Sequence, residues 1–217
     1  MKFHLIYSGR LSSGQKPRPD EARDIRDQLS PQLARLWDTH RSLQSLKTSA
    51  WVPGQQPGAR YVSSTPSPFY NPSPSANWDD ETKKQNGFEN LCEPLTVAGL
   101  PCIPLVRKSL ELNCSLEILF LRTGDPGALV TQDGDIDNRM KILLDALKVP
   151  NADNVAKYPQ KESPIYCLME SDSLVQGLDI DTDRLLTPTT QDDREVHLVI
   201  QVTINVLRVG EWNICLI

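Results

Sequence analysis

Residues 133 to 147 read Asp-Gly-Asp-Ile-Asp-Asn-Arg-Met-Lys-Ile-Leu-Leu-Asp-Ala-Leu. Asp133, Asp135 and Asp137 alternate, and Lys141 follows Asp137 by four residues. Hard divalent cations take clustered carboxylate oxygens as ligands. Metal-assisted cleavage of a phosphodiester needs such a cluster beside a positive group that offsets charge on the phosphate. These residue types at this spacing therefore point to a metal-dependent enzyme acting on phosphate. The same residues also have purely structural uses. Asp135 can cap a helix N-terminus, and Asp137 and Lys141 can form an i,i+4 surface pair worth roughly a few tenths of a kcal/mol.

A helix over residues 136 to 148 would position them. Its buried stripe would be Ile136, Met140, Leu143, Leu144 and Leu147. Asp137, Lys141 and Asp145 then line a different stripe at i, i+4 and i+8. Asp135 stands just ahead of the helix and Asp137 in its first turn, so two carboxylates converge at the helix start with Lys141 one turn deeper.

Residues 134 to 147 resemble the signature of the RusA family of Holliday-junction resolvases, in which Asp-x-Asp-Asn-x-x-Lys opens a helix ending in Asp-Ala-Leu. Asp135, Asp137, Asn138, Lys141 and Asp145-Ala146-Leu147 match it position by position. The resemblance implies that Asp135, Asp137 and a third, downstream aspartate bind magnesium, with manganese as a substitute. It implies that Lys141 acts electrostatically toward the scissile phosphate or attacking water, that Asn138 fixes local geometry, and that Asp145 is structural. The third aspartate is expected at Asp172, in Glu170-Ser-Asp-Ser-Leu-Val175, because a strand follows it and residues 195 to 207 then match the family's terminal strand. Asp193, in Gln191-Asp-Asp-Arg-Glu-Val196, is the rival. Ser171 stands where the family usually has an aspartate.

The function so implied is a magnesium-dependent endonuclease on branched DNA, of the recombination and repair type, working as a homodimer. Two alternatives stand beside it. One is a RusA-like module that binds nucleic acid or protein without cutting, and the other is a phage- or defence-associated nuclease with another DNA target. The signature helix and the strand ending near Arg122 carry the resemblance best, the last two strands moderately and the first strand loosely. Residues 20 to 47, the Pro-rich arm and the insertion after Leu147 lie outside it.

Elsewhere, periodicity assigns the elements. Phe3 to Tyr7 reads as a strand. Asp20 to Leu29 reads as a helix, and Ser30-Pro31 as the cap and first residue of a second. Ser109 to Arg122 and Glu195 to Leu207 alternate as long half-buried strands, with shorter strands at Ile165 to Met169 and Leu174 to Ile180. Between Trp51 and Trp78 six prolines forbid a regular helix or central strand. The expected fold is α+β, RusA-like, with a single mixed β-sheet, helices packed on one side, an extra helical segment and a Pro-rich arm. Residues 1 to 217 then form one domain, with the arm over 48 to 95 and a second insertion over 149 to 168.

Net charge is −5, which argues against a simple DNA-coating protein. Residues 1 to 60 nevertheless hold ten Lys/Arg against five Asp/Glu, so a basic N-terminal part could meet phosphate while an acidic part holds metal. The five cysteines have no zinc spacing, and reduced thiols in a cytoplasmic protein are expected. His4, His40 and His197 are far apart and read as structural. No apolar run reaches membrane-spanning length, and no signal-peptide pattern opens the chain.

Overall fold

A computed structural model describes residues 1–12, 19–53, 78–123, 135–155, 164–187 and 195–217. In chain order the elements are β1 (Lys2–Arg10), α1 (Pro19–Thr39), α2 (Arg41–Ser49), β2 (Trp51–Pro53), α3 (Asp80–Gln85), β3 (Phe88–Asn90), β4 (Leu95–Val97), β5 (Leu100–Val106), β6 (Leu112–Arg122), α4 (Asp135–Leu147), α5 (Ala152–Val155), β7 (Ile165–Met169), β8 (Val175–Arg184) and β9 (Glu195–Val206). The architecture is α+β, with mixed sheets and several helices.

The expected single sheet is three. Strands β1-β9-β6-β8 form the largest, antiparallel except for the parallel pair β6 and β8. Strands β4-β5-β7 form a second, and β2 with β3 a third. Pro101 and Pro104 remove two ladder donors from β5, which suits it poorly to the centre of the large sheet. The turn after β5, with Glu111 at φ 52°, redirects the chain before β6 begins. Buried Arg107 fixes that turn by donating to the carbonyls of Pro104, Leu91 and Glu93.

The alternating strands bury one face. Leu5 and Tyr7 of β1, Leu198, Ile200 and Val202 of β9, and Leu116, Ile118 and Phe120 of β6 are all within 2% of full burial. Helix α1 meets them with Ile25, Leu29, Leu33 and Trp37, and α4 with Met140, Leu143 and Leu147. On the other face Ile6 is 55% and Leu119 39% exposed.

Two expected helices are one. Helix α1 runs unbroken through Ser30 and Pro31. Residues 25, 29, 33 and 37 keep one apolar stripe across the proline, and burying that stripe outweighs the single helical hydrogen bond the proline removes. Ser30 does not cap the helix; its Oγ accepts from the Tyr166 N–H at 3.0 Å and ties α1 to β7.

Residues 54 to 77, half of the Pro-rich arm, lie outside the described residues. Its flanks pack: the rings of Trp78 and Phe88 meet edge-to-face at 6.1 Å, and Lys83 Nζ lies 5.0 Å from the Trp51 ring. The five cysteines are free thiols, with Cys102, Cys114 and Cys167 buried. No helix among the described residues is long and apolar enough to cross a membrane.

Candidate functional site

Helix α4 follows the longest alternating stretch before it, β6, and starts at the sheet end where β6 and β1 finish. Two contacts fix this. Arg139, 4% exposed, donates to the carbonyl of Leu11, just past β1, and its guanidinium lies 5.9 Å from the Phe120 ring near the end of β6. With the helix pinned by Arg139, Met140 and Leu143 inward, Asp137 and Lys141 face out and are exposed.

Asp137 and Lys141 are one turn apart but do not pair. Among the described residues neither takes part in an ion pair. Asp135 is the first residue of α4; its side chain lies outside the described residues. Asn138 is half-buried behind Asp137.

The same sheet end carries three arginines. Arg122 of β6 sits in register beside Arg184 of β8, and Arg10 of β1 opposite Glu195 of β9. The Nε of Arg122 is buried without a hydrogen-bond partner. A buried guanidinium donor left unpaired costs free energy until an acceptor reaches it.

Asp172 is not part of this group. It opens a short 3-10 turn, Asp172–Leu174, and its Oδ2 accepts from Lys148 Nζ at 2.9 Å. Lys148 also touches Asp145 Oδ1 at 2.7 Å. Asp145 is eight residues beyond Asp137, about 12 Å along the helix axis. One metal takes its oxygens within about 2.6 Å, and paired metals lie about 4 Å apart. The geometry therefore brings Asp172 to Asp145 and Lys148, and not to Asp137. Asp193, the rival, lies outside the described residues.

The Lys148 cluster is an end-tie for α4. Hydrogen bonding from Lys148 holds the Asp172 carboxyl below its ordinary value. Partial burial pulls the Lys148 ammonium down, but hydrogen bonds to Asp145 and Asp172 outweigh it and leave the pKa raised. Arg26 of α1 adds a bond to the Asp145 carbonyl at 2.5 Å, a cation at the helix C-terminus where the dipole favours one.

A metal fit can be tested on these residues. Among those described, no group of three His, Cys, Asp or Glu is placed to hold a metal ion. Asp137 is the only sequence-predicted ligand whose described side chain is at the helix start, so the described residues do not make a complete ligand set.

Sequence reading missed the Lys148 cluster, because its members come from two segments separated by 24 residues. It also passed over a row on the open sheet face: Ser8 Oγ lies 3.1 Å from His197 Nδ1, and Glu195 Oε1 lies 3.6 Å from His197 Nε2. The Ser8 N–H donates to Gln28 Oε1. The row is a polar contact between β1 and β9.

The chain matches no family model, no curated protein and no solved structure.

Proposed function

We propose that the protein is a RusA-like endonuclease that hydrolyses phosphodiester bonds in branched or structured DNA with magnesium or manganese, acting as a homodimer. One observation carries the reading: an exposed carboxylate and ammonium one turn apart, Asp137 and Lys141, stay unpaired at a sheet end that also holds the unpartnered Arg122 Nε. An aspartate and lysine at i,i+4 normally gain from pairing, and leaving both open suits groups reserved for a ligand.

In this reading Arg122 and Lys141 hold phosphate oxygens and offset charge that builds on them during cleavage. Asp135 and Asp137 are the proposed metal ligands. The third oxygen donor is left to a residue other than Asp172. Asp193 is the sequence candidate two positions before β9, and β9 begins at α4's end of the sheet.

The test is a cleavage assay with labelled four-way junction, duplex and single-stranded DNA in magnesium, manganese or EDTA. Metal-dependent cutting lost in Asp137→Asn supports the enzyme, and its substrate profile separates a resolvase from a nuclease with another target. Absence of cutting by folded wild type on every substrate would reject the enzyme in favour of the binding module.

A further inference from the structure

The two edges of the four-stranded sheet are treated differently. Strand β1 is capped along its free side by glutamine amides from α1: Gln32 bonds both backbone groups of Ile6, and Gln28 both of Ser8. Among the described residues strand β8, at the other edge, pairs only with β6, and no strand lies along its outer side. It is ten residues long and exposes Asp179, Asp181 and Asp183 on one face, with Leu178, 43% exposed, and half-buried Ile180 on the other. Glu117 stands beside Asp179 in register and adds to the same negative row. None of the ion pairs among the described residues engages Asp179 or Asp181.

An open strand edge is a template for another strand. The charge row decides which one. A two-fold pairing of β8 with β8 of a second copy keeps each sheet face on its own side. In the register centred on Asp181 it would set the three aspartates against the same three of the copy, and like charges directly opposite are destabilising. The row disfavours self-pairing and suits a strand of opposite charge.

We propose that the β8 edge docks an extended basic segment of a partner protein by strand addition. Main-chain hydrogen bonds to β8 supply register. Lys or Arg at alternate positions of the segment face Asp179, Asp181 and Asp183, and apolar or hydroxyl residues between them cover Leu178 and Ile180. The inference is independent of the nuclease reading, since it uses the opposite edge of β8 from the pairing with β6 and none of α4.

The probe is a fluorescein-labelled peptide of the length of β8, alternating lysine with valine or threonine, titrated into the full chain and read by anisotropy. Saturable binding is expected, roughly tenfold weaker in the isosteric triple variant Asp179→Asn/Asp181→Asn/Asp183→Asn, about what three cross-strand charge pairs supply. Two N-methylated peptides of identical charge sharpen the test. Methylating the alternate amides that face β8 should abolish binding, and methylating the other set should not. Equal binding of both, or of a scrambled peptide, would reduce the effect to charge alone and overturn the proposal, as would no binding at all. Protection from hydrogen exchange, without peptide, of the β8 amides that point away from β6 would put a segment of this chain or a second copy on the edge, and would also overturn it.

Discussion

The side-chain amide of Gln32 closes a two-bond ring on the backbone of Ile6. Its Oε1 accepts from the Ile6 N–H at 3.0 Å and its Nε2 donates to the Ile6 carbonyl at 2.6 Å. Gln28, one helical turn earlier, does the same at Ser8, at 3.3 and 3.1 Å. A carboxamide carries the same donor and acceptor as a peptide group, so α1 supplies β1 with the equivalent of a neighbouring strand. Pro31 lies between these two turns, and both rings survive around it.

Removing the amides opens the edge. Gln28→Leu/Gln32→Leu keeps side-chain bulk but leaves four exposed backbone groups to water. Net loss is expected at about 1–2 kcal/mol, since water replaces part of each bond. The larger effect should be association through β1. Urea midpoints and light scattering at rising protein concentration check both. A variant that stays monodisperse and as stable as wild type would show that the glutamines are incidental.

The pairing of Lys148 with Asp145 and Asp172 predicts a pH signature. The Asp172 pKa lies below its ordinary 3.8, so its share of stability is present above that value and is lost as pH falls further. The Lys148 pKa lies above its ordinary 10.5, so its share is full below that value and is lost as pH rises through the raised one. The tie is therefore intact from about pH 4 to 10. The Asp172 side chain is 48% exposed, and solvent screening limits the coupling with Lys148 to about 0.5–1 kcal/mol. A double-mutant cycle of Asp172→Asn and Lys148→Met at pH 7 should give that coupling, and the coupling should shrink progressively as pH is lowered below 3.8.

Tyr7 and Gly9 make a second local test. Burial, with Asp24 and Glu21 adding to it, pushes the Tyr7 hydroxyl up to about 12, and the hydroxyl donates to the Arg10 carbonyl at 2.8 Å. A Cβ at Gly9 would stand 2.5 Å from that oxygen and 2.9 Å from the ring carbon bearing it. The ring is buried and cannot step aside, so Gly9→Ala should cost about 1–3 kcal/mol as overpacking. In Tyr7→Phe the closest of those clashes is absent, so adding Gly9→Ala there should cost measurably less. Equal costs in both backgrounds would show that the hydroxyl is not what the new methyl meets.

Parts of this molecule can be read in its sequence because the physics is local. The alternation in residues 109 to 122 and 195 to 207 follows from burying one sheet face, and β6 and β9 lie within those bounds. The stripe Met140, Leu143 and Leu147 likewise locates α4. Strand β5 is not legible, since Pro101 and Pro104 read as loop signals while its pairing is decided by β7, about sixty residues on. The run through Pro31 is hidden for a similar reason: local propensity says stop, and tertiary burial of Leu33 and Trp37 keeps the helix going. The position of Asp172 depends on how the segment after Leu147 returns, which no periodicity encodes. The arginine pair at the sheet end arises only when the β6–β8 register sets Arg122 beside Arg184.

The proposed chemistry separates Asp137 from Asp172 by experiment. Asp137→Asn should lower cleavage by at least about a hundredfold, the scale of losing one ligand or preorganised charge at the reacting phosphate. Lys141→Ala should lower the rate with less effect on substrate affinity, because its charge matters most when the phosphate gains charge. Arg122→Gln should instead weaken DNA binding and reduce its salt dependence by about one phosphate contact. Asp172→Asn should leave the rate near wild type at 25 °C while shifting stability as above, because its carboxylate is at the other end of α4. Single-turnover rates with circular dichroism melts on the four variants give the comparison. Equal losses for Asp137→Asn and Asp172→Asn, with both proteins folded, would mean that the two carboxylates meet in the active enzyme through a rearrangement that releases Lys148.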